Sequence, residues 1–91
     1  MASFATNIVT PAQGITTALA TAAADAATLA TNIGPGLPGT TLSGLSTYSK
    51  NWLMNVADLR VALADATANL SVAAQLFATI SALLTNIGSN D

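Results

Sequence analysis

Along nearly half of this chain, apolar residues recur in alternating steps of three and four: Leu45, Ser49, Trp52, Val56, Leu59, Leu63, Ala66, Leu70, Ala73, Phe77, Ile80, Leu84 and Ile87, with Ser49 the only polar member. A 3.5-residue period held for about six heptads selects α-helices that lie side by side at shallow angles. A shorter series obeys the same rule: Ile8, Ala12, Ile15, Leu19, Ala22, Ala26, Leu29 and Ile33. Between the two lies the one strong breaker cluster, Gly34-Pro35-Gly36-Leu37-Pro38-Gly39. Gly34 can take the left-handed C-cap conformation, and Pro35 cannot continue a helical ladder. The expected fold is therefore all-α: a two-helix hairpin with a shorter first helix and a long second helix, packed as a helical bundle or filament through self-assembly.

The boundaries follow from local chemistry. Thr10-Pro11-Ala12-Gln13 offers a hydroxyl N-cap, a proline at the first helical position and a glutamine three residues after the cap, which predicts a first helix over about 11–33. Several hydroxyls between Ser43 and Thr47 can cap the second helix, expected over about 45–87 and ending before Gly88. The turn is then 34–44, with Gly34, Pro35 and Pro38 as its marker residues, and residues 1–91 form a single helical-hairpin domain.

Length makes a closed monomer difficult. At about 1.5 Å per residue the first helix is about 35 Å long and the second about 65 Å. Folding back at the turn pairs the first helix with the first half of the second. Ile15, Leu19, Leu29 and Ile33 are then expected to meet Trp52, Val56, Leu59 and Leu63 in the hairpin seam. The stretch from Asn69 to Ile87 is left without a partner unless residues 1–10 extend to reach it. That stretch carries a second stripe, Val72, Leu76 and Leu83, beside its seam residues Phe77, Ile80 and Leu84, and these six are the expected assembly interface. Met54 and Val61 lie on the outer side of the earlier part. Apolar surface on several faces calls for several neighbouring copies, and a head-to-tail contact whose rotation does not close yields a helical filament.

Composition points the same way. Of 91 residues 52% are hydrophobic and only 7% charged, against about 25% in an ordinary soluble domain. The side-chain charges are Asp25, Lys50, Asp58, Arg60, Asp65 and Asp91, for a net charge of −2. Two cations cannot neutralise a phosphate backbone, which excludes ordinary nucleic-acid binding. With no Cys and no His, disulfide frameworks, thiolate or imidazole metal sites and the common nucleophile–base pairs are all excluded. No carboxylate has an evident catalytic partner and no phosphate-binding glycine loop follows a strand. No catalytic, cofactor-binding or metal-binding residue is therefore assigned, no cofactor is expected, and the chain is not expected to be an enzyme.

Single residues add little chemistry. Tyr48 and Trp52, four apart, share a helix face and are expected in packing. An antiparallel hairpin can bring Asp25 near Lys50, although two solvated charges are the simpler expectation. The first twenty residues hold no Lys or Arg and no unbroken apolar run, so a cleaved Sec signal is not expected. Leu70–Ile87 is long enough for a membrane span, but its hydroxyl and amide residues and lack of flanking cations make lipid the less favoured partner.

The order of a short N-terminal helix, a Pro-x-x-Pro turn (Pro35-Gly36-Leu37-Pro38), an aromatic pair soon after it (Tyr48, Trp52) and an aliphatic C-terminal helix resembles type III secretion needle subunits and the related Hrp pilins. The charge-poor, Ala/Ser/Thr-rich composition is closer to the Hrp pilin side, and the second helix is longer and less charged than is usual in needle subunits. The resemblance implies a hairpin that passes unfolded through a secretion channel and polymerises into a hollow filament. It places the Pro35–Pro38 turn at a subunit contact or outer surface, and Phe77, Ile80 and Leu84 in the filament core.

The expected function is a structural subunit, partnered by copies of itself in an extracellular or cell-surface filament, exported without a cleaved Sec signal. Two other classes fit the size. One is a type VII secretion substrate acting as a dimeric helical hairpin, although Trp52-Leu53-Met54 lacks the Trp-x-Gly turn and Tyr48 is not followed four residues on by an acid. The other is a coat subunit of a filamentous virus, the one case in which nucleic acid would be a partner, or a conjugative-type pilin.

Overall fold

The computed structural model describes residues 2–33 and 47–90. Helix α1 (Ala2–Phe4) runs through a π-helical turn (Ala5–Val9) into α2 (Thr10–Ile33), and α3 (Thr47–Ser89) returns alongside as the second arm. The architecture is the expected all-α hairpin, with a shorter first arm, a long second arm and no strand among the described residues. It is a rod of 69 × 16 × 15 Å with a radius of gyration of 20.4 Å, where a compact chain of this length has about 12 Å. The turn residues Gly34, Pro35 and Pro38, and Leu45 at the head of the second series, lie outside the described residues.

The first arm starts well before Pro11. Thr10 does not cap a helix: its φ of −59° and ψ of −47° are helical, and its N–H donates to the Ala5 carbonyl. That i→i−5 bond is the physical reason the helix survives a proline. Pro11 has no N–H to give, and its ring crowds the carbonyl four residues back. Widening the preceding turn relieves this crowding. One extra residue in a turn also rotates everything before it by about a quarter turn relative to a straight α-helix.

The arms pair in a register different from the one that length alone suggests. The Thr16 hydroxyl lies 3.5 Å from that of Ser81, which fixes one level of the antiparallel pair. Counting equal steps along both arms sets Val9 level with Gly88, Ala23 with Ala74 and Ala30 with Thr67. Val9 and Gly88 line one groove between the arms, and Ala23, Thr67 and Ala74 line another. The contact line on α3 is thus a heptad ladder of small residues, Thr67, Ala74, Ser81 and Gly88, and that ladder sets the register. Its continuation toward the start of α3 is Arg60 and Leu53, whose bulk does not allow so close an approach. The first arm, lengthened by residues 2–9, therefore covers the second half of α3. Residues 47–63 project beyond Ile33, which is level with about Ala64.

Gly88 belongs to this ladder and does not terminate the helix, which continues to Ser89. A Cβ on Gly88 would sit 2.8 Å from Cδ1 of Phe4, so the missing side chain is the seat of the Phe4 ring. Gly88→Leu should expel that ring and free residues 2–9. Losing much of one phenylalanine's burial, partly offset by better helix propensity, costs about 1–2 kcal/mol. Hydrogen exchange would show it as lost protection at residues 5–10 with residues 16–30 still protected.

Candidate assembly surfaces

Little is hidden within the hairpin. Among the described residues the only buried hydrophobic side chains are Ala12 and Ala23, Ser81 is the buried polar one, and no large side chain is fully buried. This follows from the small-residue ladder: it brings the helix axes close, so longer side chains are pushed to the flanks and half-covered there.

The expected seam residues divide accordingly. Leu19, Ile33, Val56 and Leu63 are half-buried, whereas Ile15, Leu29, Trp52 and Leu59 are exposed. Ile15 and Leu29 sit beside the ladder instead of on it. Trp52 and Leu59 stand on the part of α3 that no residue of 2–33 reaches. The expected assembly residues also divide. Phe77, Ile80 and Leu84 are half-buried, because the first arm lies over this half of α3. Val72, Leu76 and Leu83 are 64, 58 and 56% exposed. Of Tyr48 only the backbone is described, so its stacking on Trp52 lies outside the described side chains.

Apart from Trp52 and Leu59, which face another side, the large exposed apolar residues of α3 form one strip. At about 100° per residue, Met54, Val61, Val72, Leu76 and Leu83 fall within a wedge of about 60°, opposite the ladder of Thr67, Ala74 and Ser81. Asp58 and Asp65 share the strip's first half. Its second half, from Val72 to Ile87, has no charged side chain. The register also separates Asp25 from Lys50: Asp25 is level with Val72, 22 residues or about 33 Å along α3 from Lys50.

Many hydroxyls turn inward to their own helix. Thr17, Thr31, Thr79 and Ser89 donate to the carbonyl four residues back at 3.0–3.2 Å, as Thr67 and Thr85 do at 2.8 and 2.9 Å. Each bond occupies a donor that would otherwise hold water, so the rod is less hydrophilic than its Thr content suggests. In the seam, Thr16 also donates to the Ala12 carbonyl, and no buried side-chain N or O among the described residues lacks a partner. The 3.5 Å Thr16–Ser81 contact is at the outer limit for a hydrogen bond. Ser81→Ala should therefore change stability by no more than about 1 kcal/mol, read as a small shift in thermal midpoint, whereas a bulky residue there would part the arms.

Length and composition give α3 one further property. Within Lys50–Ser89 it is long enough to cross a membrane, and an 18-residue stretch of it reaches a mean hydropathy of 1.6. No protein-family model matches this sequence, and comparison with curated proteins and with solved structures finds no similar chain.

Proposed function

We propose that this protein is a structural subunit whose copies assemble, through exposed apolar faces of the hairpin, into a filament at or outside the cell surface. The observation that carries the reading is surplus surface. The chain exposes 6161 Å², whereas a compact monomer of 9.0 kDa exposes about 4,850 Å². The excess, about 1,300 Å², is larger than the roughly 800 Å² that one partner contributes to a standard interface. Large apolar side chains stand exposed on the strip of α3 opposite the first arm and on the projecting segment around Trp52 and Leu59. Two separate sticky regions on one rod favour open-ended growth over a closed pair. The absence of Cys and His, and of a carboxylate pair with a catalytic partner, favours packing over catalysis.

The resemblance to needle subunits and Hrp pilins belongs to this reading, as does export without a cleaved Sec signal. Negative-stain microscopy of the purified chain in lipid-free buffer tests it: elongated polymers are expected, and particles of hairpin size alone would reject it. A membrane-resident form is the second reading, favoured by the apolar length of α3. Flotation with liposomes separates the two, since a lipid-dependent protein stays particulate without vesicles and rises with them.

A further inference from the structure

We propose that the second half of the α3 strip joins two copies antiparallel, about a two-fold axis that passes beside Thr79 and Ile80. The inference rests on the assembly reading above and specifies one of its contacts. Val72, Leu76, Leu83 and Ile87 are all more than half exposed, and their spacing of four, seven and four is the same read in either direction. A helix face with that spacing is complementary to itself when turned end for end. Val72 then lies level with Ile87 of the second copy and Leu76 with Leu83, while the Thr79 residues face each other across the axis.

Charge selects this orientation. In a parallel, in-register pair Asp58 and Asp65 would each face its own counterpart, a destabilising like-charge contact. Sliding a parallel pair by one heptad sets Asp65 against Val72 and desolvates a carboxylate on an apolar neighbour. In the antiparallel pair neither acid meets its own counterpart or the uncharged half-strip of the second copy, which runs from Val72 to Ile87. The occupant is a second copy because the two uncharged half-strips match each other in length, spacing and polarity, and the surplus surface exceeds what one such contact needs. The projecting segment with Trp52 and Leu59 remains free on each side of the pair for further growth.

The natural chain has no cysteine, so single-cysteine variants report directly. Thr79→Cys should give a disulfide-linked dimer under mild oxidation, since facing residues at the axis fall within the short Cβ separation a disulfide needs. Val72→Cys should not link to itself, because the two copies of residue 72 are 15 residues or about 22 Å apart along the axis. A mixture of Val72→Cys and Ile87→Cys chains should form the mixed dimer. Efficient self-linking of Val72→Cys would show a parallel contact and overturn the proposal. If no variant links while the protein still sediments as large particles, this contact is wrong and assembly stands. If none links and every variant sediments as a single chain, the assembly reading falls as well.

Discussion

Replacing Leu76 and Leu83 together by Asp should abolish assembly and leave the hairpin folded. Both side chains are more than half exposed in the single chain, so the hairpin loses little when they change. In an interface between copies each leucine has a little more than half its surface left to bury, so the pair contributes about 2–3 kcal/mol from each copy. That is a fall of at least about 10-fold in the association constant of each such interface, before the cost of desolvating the carboxylates. The variant should run as a small helical species, with its helical circular dichroism retained and no polymer in the micrograph. Polymers that persist in the double variant would reject the α3 strip as an assembly surface.

The second large effect is expected inside the hairpin. Ala12 and Ala23 are the most enclosed apolar side chains among the described residues, and they sit where the two arms approach closely. Enlarging both to Leu inserts bulk where there is no room, at about 1–3 kcal/mol each. A chain of this size melts about 4–8 °C lower for each kcal/mol lost, so the double variant should lose about 10 °C or more of thermal midpoint. Ala18→Leu is the matched control: Ala18 is exposed on the same arm, and its change should stay within about 0.5 kcal/mol. A double variant that melts with the natural chain would mean that the arms are not held by the small-residue ladder.

The two arms, their order and their unequal length are legible in the sequence, because the alternating three–four series and the Gly34–Gly39 breakers depend only on backbone chemistry and side-chain period. The line of contact is legible only in part. Of the alternating series, Ala12 is buried and Leu19, Ile33, Leu70, Phe77, Ile80 and Leu84 are half-buried, whereas Ile15 and Leu29 are exposed beside the contact and Trp52 and Leu59 beyond it. The arms meet one step round each helix, where Thr16, Ala23, Thr67, Ala74, Ser81 and Gly88 are small enough for close approach. A heptad of small residues at 67, 74, 81 and 88 carries that signal, and it is faint in a chain so rich in Ala, Ser and Thr. Pro11 misleads for a different reason. Its sequence context is that of a helix start, and only a π turn, which leaves no compositional trace, lets the helix pass through it. The outer strip is legible throughout: Val72, Leu76 and Leu83 are exposed in the folded chain.

Sedimentation velocity across a hundredfold range of concentration, without lipid, tests the central claim most directly. The expected result is a boundary dominated by large species whose size grows with concentration. A single sharp boundary at 9.0 kDa, unchanged up to the highest concentration, would contradict it.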